Sequence, residues 1–144
     1  MRMHQILLNE KFIRSQLDVY ARIYVDIDNV CWATARTAMK QFGIKEWPAD
    51  TYDLGVQWAM LRWHEVPVVF EPPDHPRVFI VTSVPTCMAE LNAKMEWVGK
   101  RSLIFTHSRH RLGTSEDLLI DDYIENIAKW PGETIHIEWR GPIG

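Results

Sequence analysis

Four aspartates, two hydroxyl residues and a short basic cluster each follow directly on a run of apolar residues. Ile23-Tyr24-Val25 leads into Asp26-Ile27-Asp28-Asn29, and Val78-Phe79-Ile80-Val81 leads into Thr82-Ser83. Leu103-Ile104-Phe105 leads into Thr106-His107-Ser108-Arg109-His110-Arg111, and Leu118-Leu119-Ile120 into Asp121-Asp122. Carboxylates gathered at one low-dielectric rim repel one another and raise their own pKa values unless a cation sits among them. All-oxygen ligation favours a hard ion. Mg²⁺ suits a site with few protein carboxylates, because it keeps waters that a phosphate can replace. Thr82 and Ser83, at a strand end just before a helix start, offer hydroxyl and backbone N–H donors to phosphate oxygens. An arginine from the 109–111 stretch neutralises the remaining charge. In outline, these residue types make a phosphoryl-transfer site.

Such a site forms only if the fold brings those chain segments together. Runs of three or four consecutive apolar residues read as strands buried on both faces, which is the habit of parallel sheets. The alternating Thr134-Ile135-His136-Ile137-Glu138-Trp139 reads as a further strand. Helical segments fall between the runs: residues 33–42; Pro85 to about Val98, with Met88, Leu91, Met95 and Val98 on one face; and Tyr123 to Trp130, stopped by Pro131-Gly132. Strands alternating with helices predict one α/β sandwich around a mostly parallel sheet, whose strands share a carboxyl-end edge where ligands bind. Residues 1–20 suit either a short amphipathic helix or an early strand. The stretch from about 43 to 76 holds Trp47, Tyr52, Trp58, Trp63 and a proline-rich end, and it reads as a compact insertion after the first of these strands.

The chain has 144 residues, 47% of them hydrophobic, enough for one core and too few for two ordinary domains. Its formal charge of −3 is spread along the sequence, so the basic stripe of a duplex-binding protein is missing. A local pocket can still be positive and accept a small phosphorylated substrate. Cys31 and Cys87 fit no metal-binding spacing and are too sparse for a disulfide scaffold, which predicts reduced thiols. No apolar stretch approaches the roughly 20 residues of a membrane span. The expectation is a cytoplasmic protein with neither duplex nucleic acid nor membrane as partner. A homodimer stays open.

Val25-Asp26-Ile27-Asp28-Asn29-Val30 resembles the first signature of the haloacid dehalogenase superfamily, an apolar strand followed by a DxDx motif. Val81-Thr82-Ser83-Val84-Pro85 resembles its second motif, and Leu118-Leu119-Ile120-Asp121-Asp122 its fourth. Within the superfamily, these motifs with Trp97-Val98-x-Lys100 and Phe105-Thr106 are most similar to the 5'(3')-deoxyribonucleotidases, from about Ile23 to Ile127. The resemblance implies a Rossmann-like three-layer fold with a small cap after the first motif. It also implies an Mg²⁺-dependent phosphatase acting on nucleoside monophosphates. Asp26 would then be the nucleophile, and Asp28 the general acid and base. The cation would bind Asp26, the Asp28 backbone carbonyl and Asp122, with Asp121 in support, while Thr82 and Ser83 hold phosphoryl oxygens.

Two departures from that family bear on the site. Asn29 stands where these enzymes usually have Gly, and Asn is the non-glycine residue that best tolerates positive φ. The lysine of the third motif, about ten residues before the paired aspartates, is replaced: counting back from Asp121 gives Arg111, with Arg109 as its neighbour and Lys100 further upstream. Other readings keep part of the chemistry. A reduced cap admits a sugar phosphate or a nucleic-acid 3'-phosphate, and a degenerate relative would bind a phosphorylated ligand without turnover.

Overall fold

The computed structural model describes residues 1–43, 45 and 63–142. Its sheet has six strands: β1 (Arg2–His4), β2 (Ile23–Asp26), β3 (Val78–Thr82), β4 (Ser102–Phe105), β5 (Leu118–Asp121) and β6 (Thr134–Glu138). The order is β1-β6-β5-β2-β3-β4, and every pairing is parallel. Among the described residues four α-helices accompany it: α1 (Glu10–Gln16), α2 (Thr34–Phe42), α3 (Met88–Val98) and α4 (Ile124–Lys129). The apolar runs at 23–25, 78–81, 103–105 and 118–120 are all strands, and residues 1–20 supply both an edge strand and a helix.

Side-chain alternation along the strands divides the core between the two faces of the sheet. Ile23, Val25, Val78, Ile80, Leu118 and Ile120 pack on one face with Ile13 of α1, Leu17 just past its end, and Ala93 and Val98 of α3. On the other, Tyr24, Val81 and Leu119 pack with Trp130, Leu112 and Ile127 of α4. Helices on both faces make an α/β sandwich of Rossmann-like type. Gly132 is required by close approach: a Cβ there would stand 2.4 Å from the Asp117 carbonyl oxygen.

The structure corrects the expected face of α3. Met88 and Met95 point to solvent, while Glu90, Ala93, Lys94 and Val98 face the protein. The helix also begins at Met88, three residues after Pro85. A buried lysine is tolerated on that face because carboxylates and a hydroxyl meet it there.

Trp47, Tyr52 and Trp58, and the side chain of Trp63, lie outside what is described. The later part of the expected 43–76 insertion joins the main core. Val66 and Phe70 are buried in it, Ala33 N–H donates to the Pro67 carbonyl, and Val69 N–H donates to that of Cys31.

The strand order reverses beside β2. Chain segments β2–β3–β4 run outward on one side, and β5–β6 with β1 on the other. Ligands of open parallel sheets bind at such a switch point, outside the carboxyl ends of the strands. Here that crevice lies between Asp26-Ile27-Asp28 and Asp121-Asp122.

Candidate active site

Asp26 closes β2, and the chain turns at once. Asn29 takes φ +66°, the left-handed conformation that the Gly-to-Asn departure allows. Its Oδ1 accepts from Ala35 N–H at 2.9 Å, tying the turn to the first residues of α2. Thr34 Oγ1 donates to Asp28 Oδ1 at 2.8 Å. Gln5 Nε2, from the N-terminal segment, donates to the Asn29 carbonyl at 2.9 Å. These bonds hold a short loop whose two acids point into one cavity.

That cavity has a volume of roughly 340 Å³ and is lined by Asp26, Asp28, Asn29, Ser83, Arg109, Asp121, Asp122, Tyr123 and Asn126. Of the residues expected from sequence, Asp26, Asp28, Ser83, Arg109, Asp121 and Asp122 meet there. Thr82 is buried beneath it, 1% exposed, with its Oγ1 accepting from Lys94. Arg111 is exposed and not part of the lining. Arg109, although two residues further from Asp121, turns inward at the start of the short 3₁₀ helix Arg109–Arg111. His107 and His110 are both exposed.

Each charge at this rim has an identifiable counterpart. Arg109 Nη1 lies 2.9 Å from Asp26 Oδ1 and also hydrogen-bonds Asp121 Oδ2. Asp121 is saturated, because its Oδ1 accepts from Tyr123 N–H at 3.0 Å and its Oδ2 also accepts from Asn126 Nδ2 at 3.1 Å. Asp122 has no cationic partner among the described residues: Trp139 Nε1 donates to its Oδ2 at 3.1 Å, and the Asn29 and Asp26 side chains also hydrogen-bond it. Carboxylate oxygens of Asp26, Asp121 and Asp122 fall within 4.8 Å of one another.

Burial pushes the Asp26 carboxyl well above its ordinary value. Arg109 opposes this, while the charges of Asp121, Asp122 and Asp28 add to it. Burial and then Asp121 push Asp122 up to about 7. Two neighbouring acids whose ionisation is opposed by burial and by each other's charge mark a place short of positive charge. With Asp121 consumed by its three donors, Asp26 and Asp122 are the carboxylates that fit a hard, oxygen-ligated divalent ion.

Asp28 is different. Burial would raise it, but the charge of Lys94, with hydrogen bonds from Lys94 and Thr34, holds it below the usual carboxylate value. Lys94 Nζ lies 2.8 Å from Asp28 Oδ2 and 2.7 Å from Thr82 Oγ1, with Glu90 Oε2 at 3.6 Å. Sequence reasoning missed this lysine. The signal was Glu90 and Lys94 one turn apart, a pair that ordinarily decorates a solvent face.

The chain matches no protein-family model, no curated protein and no solved structure. The arrangement therefore speaks through its chemistry alone: paired acids short of positive charge, one guanidinium, and a separate carboxylate held ionised by a buried ammonium.

The two arginines can be told apart by substitution. Arg109→Ala removes the only cation touching Asp26 among the described residues and is expected to lower any phosphate release by about a hundredfold or more. Arg111→Ala is expected to stay within about twofold of the parent, since exposed charges contribute little. Parallel steady-state assays of both variants check this, and a reversed ranking would return the third-motif role to Arg111.

Proposed function

We propose that this protein is a Mg²⁺-dependent phosphomonoester hydrolase of the haloacid dehalogenase type, working through an aspartyl-phosphate on Asp26. The observation that carries the reading is the Asp26–Asp122 pair, acids from distant chain segments whose carboxylate oxygens lie within 4.8 Å of each other and whose ionisation burial and neighbouring charge oppose. Asp26 and Asp122 would hold the ion, with the Asp28 carbonyl completing the protein ligands as the family resemblance implies. When bound, the ion supplies charge that keeps Asp26 ionised and draws electron density from the phosphoryl group.

The chain's own groups do the rest. Arg109 holds Asp26 Oδ1, which leaves the other carboxylate oxygen to attack phosphorus, and it faces the oxygens on which charge accumulates. Ser83, on the cavity wall after β3, donates to a phosphoryl oxygen. The negative phosphate offsets part of the pull of Lys94 on Asp28, so Asp28 takes up a proton from solvent and passes it to the departing alcohol oxygen. As a carboxylate again, it accepts a proton from the water that hydrolyses the acyl phosphate, returning Asp26 and inorganic phosphate, and then gives that proton back to solvent. The most specific form of the reading, a 5'(3')-deoxyribonucleotidase acting on nucleoside monophosphates, rests on the motif resemblance.

Purified protein is expected to release phosphate from p-nitrophenyl phosphate and from deoxyribonucleoside monophosphates when Mg²⁺ is added, and to stop when it is chelated. Release from sugar phosphates or 3'-phosphorylated oligonucleotides but from no mononucleotide would move the substrate class. No release from any of them would defeat the hydrolase reading.

A further inference from the structure

Asp121 and Asp122 are neighbours with opposite surroundings. Arg109, Asn126 and a main-chain N–H fix Asp121. No arginine or lysine contacts the Asp122 carboxylate among the described residues; beside the Asn29 and Asp26 side chains, its partner is a residue from the chain beyond the last strand. Register places His136 of β6 beside Asp121 of β5. His136 Nε2 lies 2.9 Å from the Asp122 carbonyl oxygen, which can only accept, so the ring donates there. One residue past β6, the half-buried Trp139 reaches back to Asp122 Oδ2 at 3.1 Å. The chain then turns at Gly141, φ +62°, whose carbonyl accepts from Arg36 Nε of α2 at 3.3 Å.

We propose that segment 139–141 is a positioning strap for the cation site, with Trp139 as the residue that orients the Asp122 carboxylate. The inference deepens the hydrolase reading and rests on its assignment of Asp122 to the ion. A carboxylate that gives one oxygen to a cation needs a donor on the other to fix its rotation. An arginine would do this at the cost of competing with the ion for the same negative charge. The indole N–H is a donor that neither accepts nor titrates in this range. It constrains Asp122 while leaving the full carboxylate charge for the metal. Arg36 fixes the far end of the strap to the helix that follows the Asp26–Asn29 loop, so both ligand-bearing loops share one anchor.

Trp139→Phe keeps the ring and removes the N–H. Calorimetric titration with Mn²⁺, without substrate, is expected to show affinity about ten- to a hundredfold weaker than the parent. Metal-free melting should change little, which a merely structural role for the indole would not produce. Arg36→Met, which releases the far end while sparing the indole, should weaken Mn²⁺ binding in the same direction by less. In the parent protein, the indole N–H resonance that vanishes in Trp139→Phe should move on addition of Mg²⁺. Unchanged Mn²⁺ affinity in Trp139→Phe, with a parent that binds the ion, overturns the strap and leaves the hydrolase reading standing. A parent that binds no divalent ion overturns both.

Discussion

Asp26→Asn is expected to abolish phosphate release, by at least about a thousandfold, while making the metal-free protein more stable at neutral pH. The two effects have one origin. Asn keeps the shape of the side chain and an acceptor for Arg109, but it has no anionic oxygen to attack phosphorus. It also takes one acid out of a cluster in which burial and neighbouring charge oppose ionisation. A carboxyl whose pKa is higher in the folded than in the unfolded chain binds more protons when folded. Its contribution to stability is complete below the unfolded value and is lost as pH rises through the folded one. For Asp122 that window runs from its ordinary 3.8 to about 7, and Asp26 is displaced in the same direction. Metal-free parent protein should therefore melt at progressively lower temperature as pH rises across that window. Asp28, lowered below 3.8, works in the opposite sense, gaining stability as pH rises through a more acid range, and so leaves this slope untouched.

In Asp26→Asn the slope should flatten, and the melting temperature near pH 8 should exceed that of the parent by a few degrees. Added Mg²⁺ should stabilise the parent strongly at about pH 8 and weakly at about pH 5, where protons already occupy the acids. The variant should respond little at either. Thermal melts at several pH values, with and without the ion, test this. A variant that melts lower than the parent at neutral pH would mean that the fold does not oppose ionisation of Asp26, and one that still turns over would mean that Asp26 is not the nucleophile.

How much of this was legible in the sequence follows from what each residue's surroundings are made of. The strands were legible because burial on both faces leaves unbroken apolar runs, and the acids at their ends were legible because a parallel sheet gathers its carboxyl ends. Asp26, Asp28, Asp121 and Asp122 needed no further information than that. Arg109 was open against Arg111, since spacing along the chain does not tell which residue of a 3₁₀ turn points inward. The α3 face was misread for a physical reason. Met88, Leu91 and Met95 have helical spacing and the greater hydrophobicity, yet Lys94 and Glu90 are held inside by partners on other elements. Trp139 was hidden in the same way, since nothing in an alternating strand end shows that its last residue reaches across to an acid on the neighbouring strand's loop.

Lys94→Met should be the most disruptive change among the residues that sequence reasoning passed over. The ammonium is 2% exposed and faces Asp28, Glu90 and Thr82. Removing one partner of a buried ion pair costs roughly 3–5 kcal/mol, because the other charge is left behind. The Asp28 side chain remains about a third exposed, at 32%, so the lower end of that range applies and the melting temperature should fall by about 10 °C. The sign with pH is fixed by both partners. Lys94, whose pKa is raised above its ordinary 10.5 by Asp28 and Glu90 against the opposing pull of burial, contributes fully at neutral pH and loses its share only in strong alkali. Asp28, lowered below 3.8, contributes above that value and loses its share as pH falls further. The stability gap between parent and variant should therefore be widest near neutrality and should narrow in acid as Asp28 protonates. Activity should fall about a hundredfold and recover in part as pH rises, because Asp28 without its ammonium ionises only at higher pH and the proposed mechanism needs its carboxylate to activate water. Such recovery separates a role in tuning Asp28 from a loss of folded protein. If the variant keeps the acid limb of the parent's pH–rate profile, Lys94 supports the helix and the general base is set by something else.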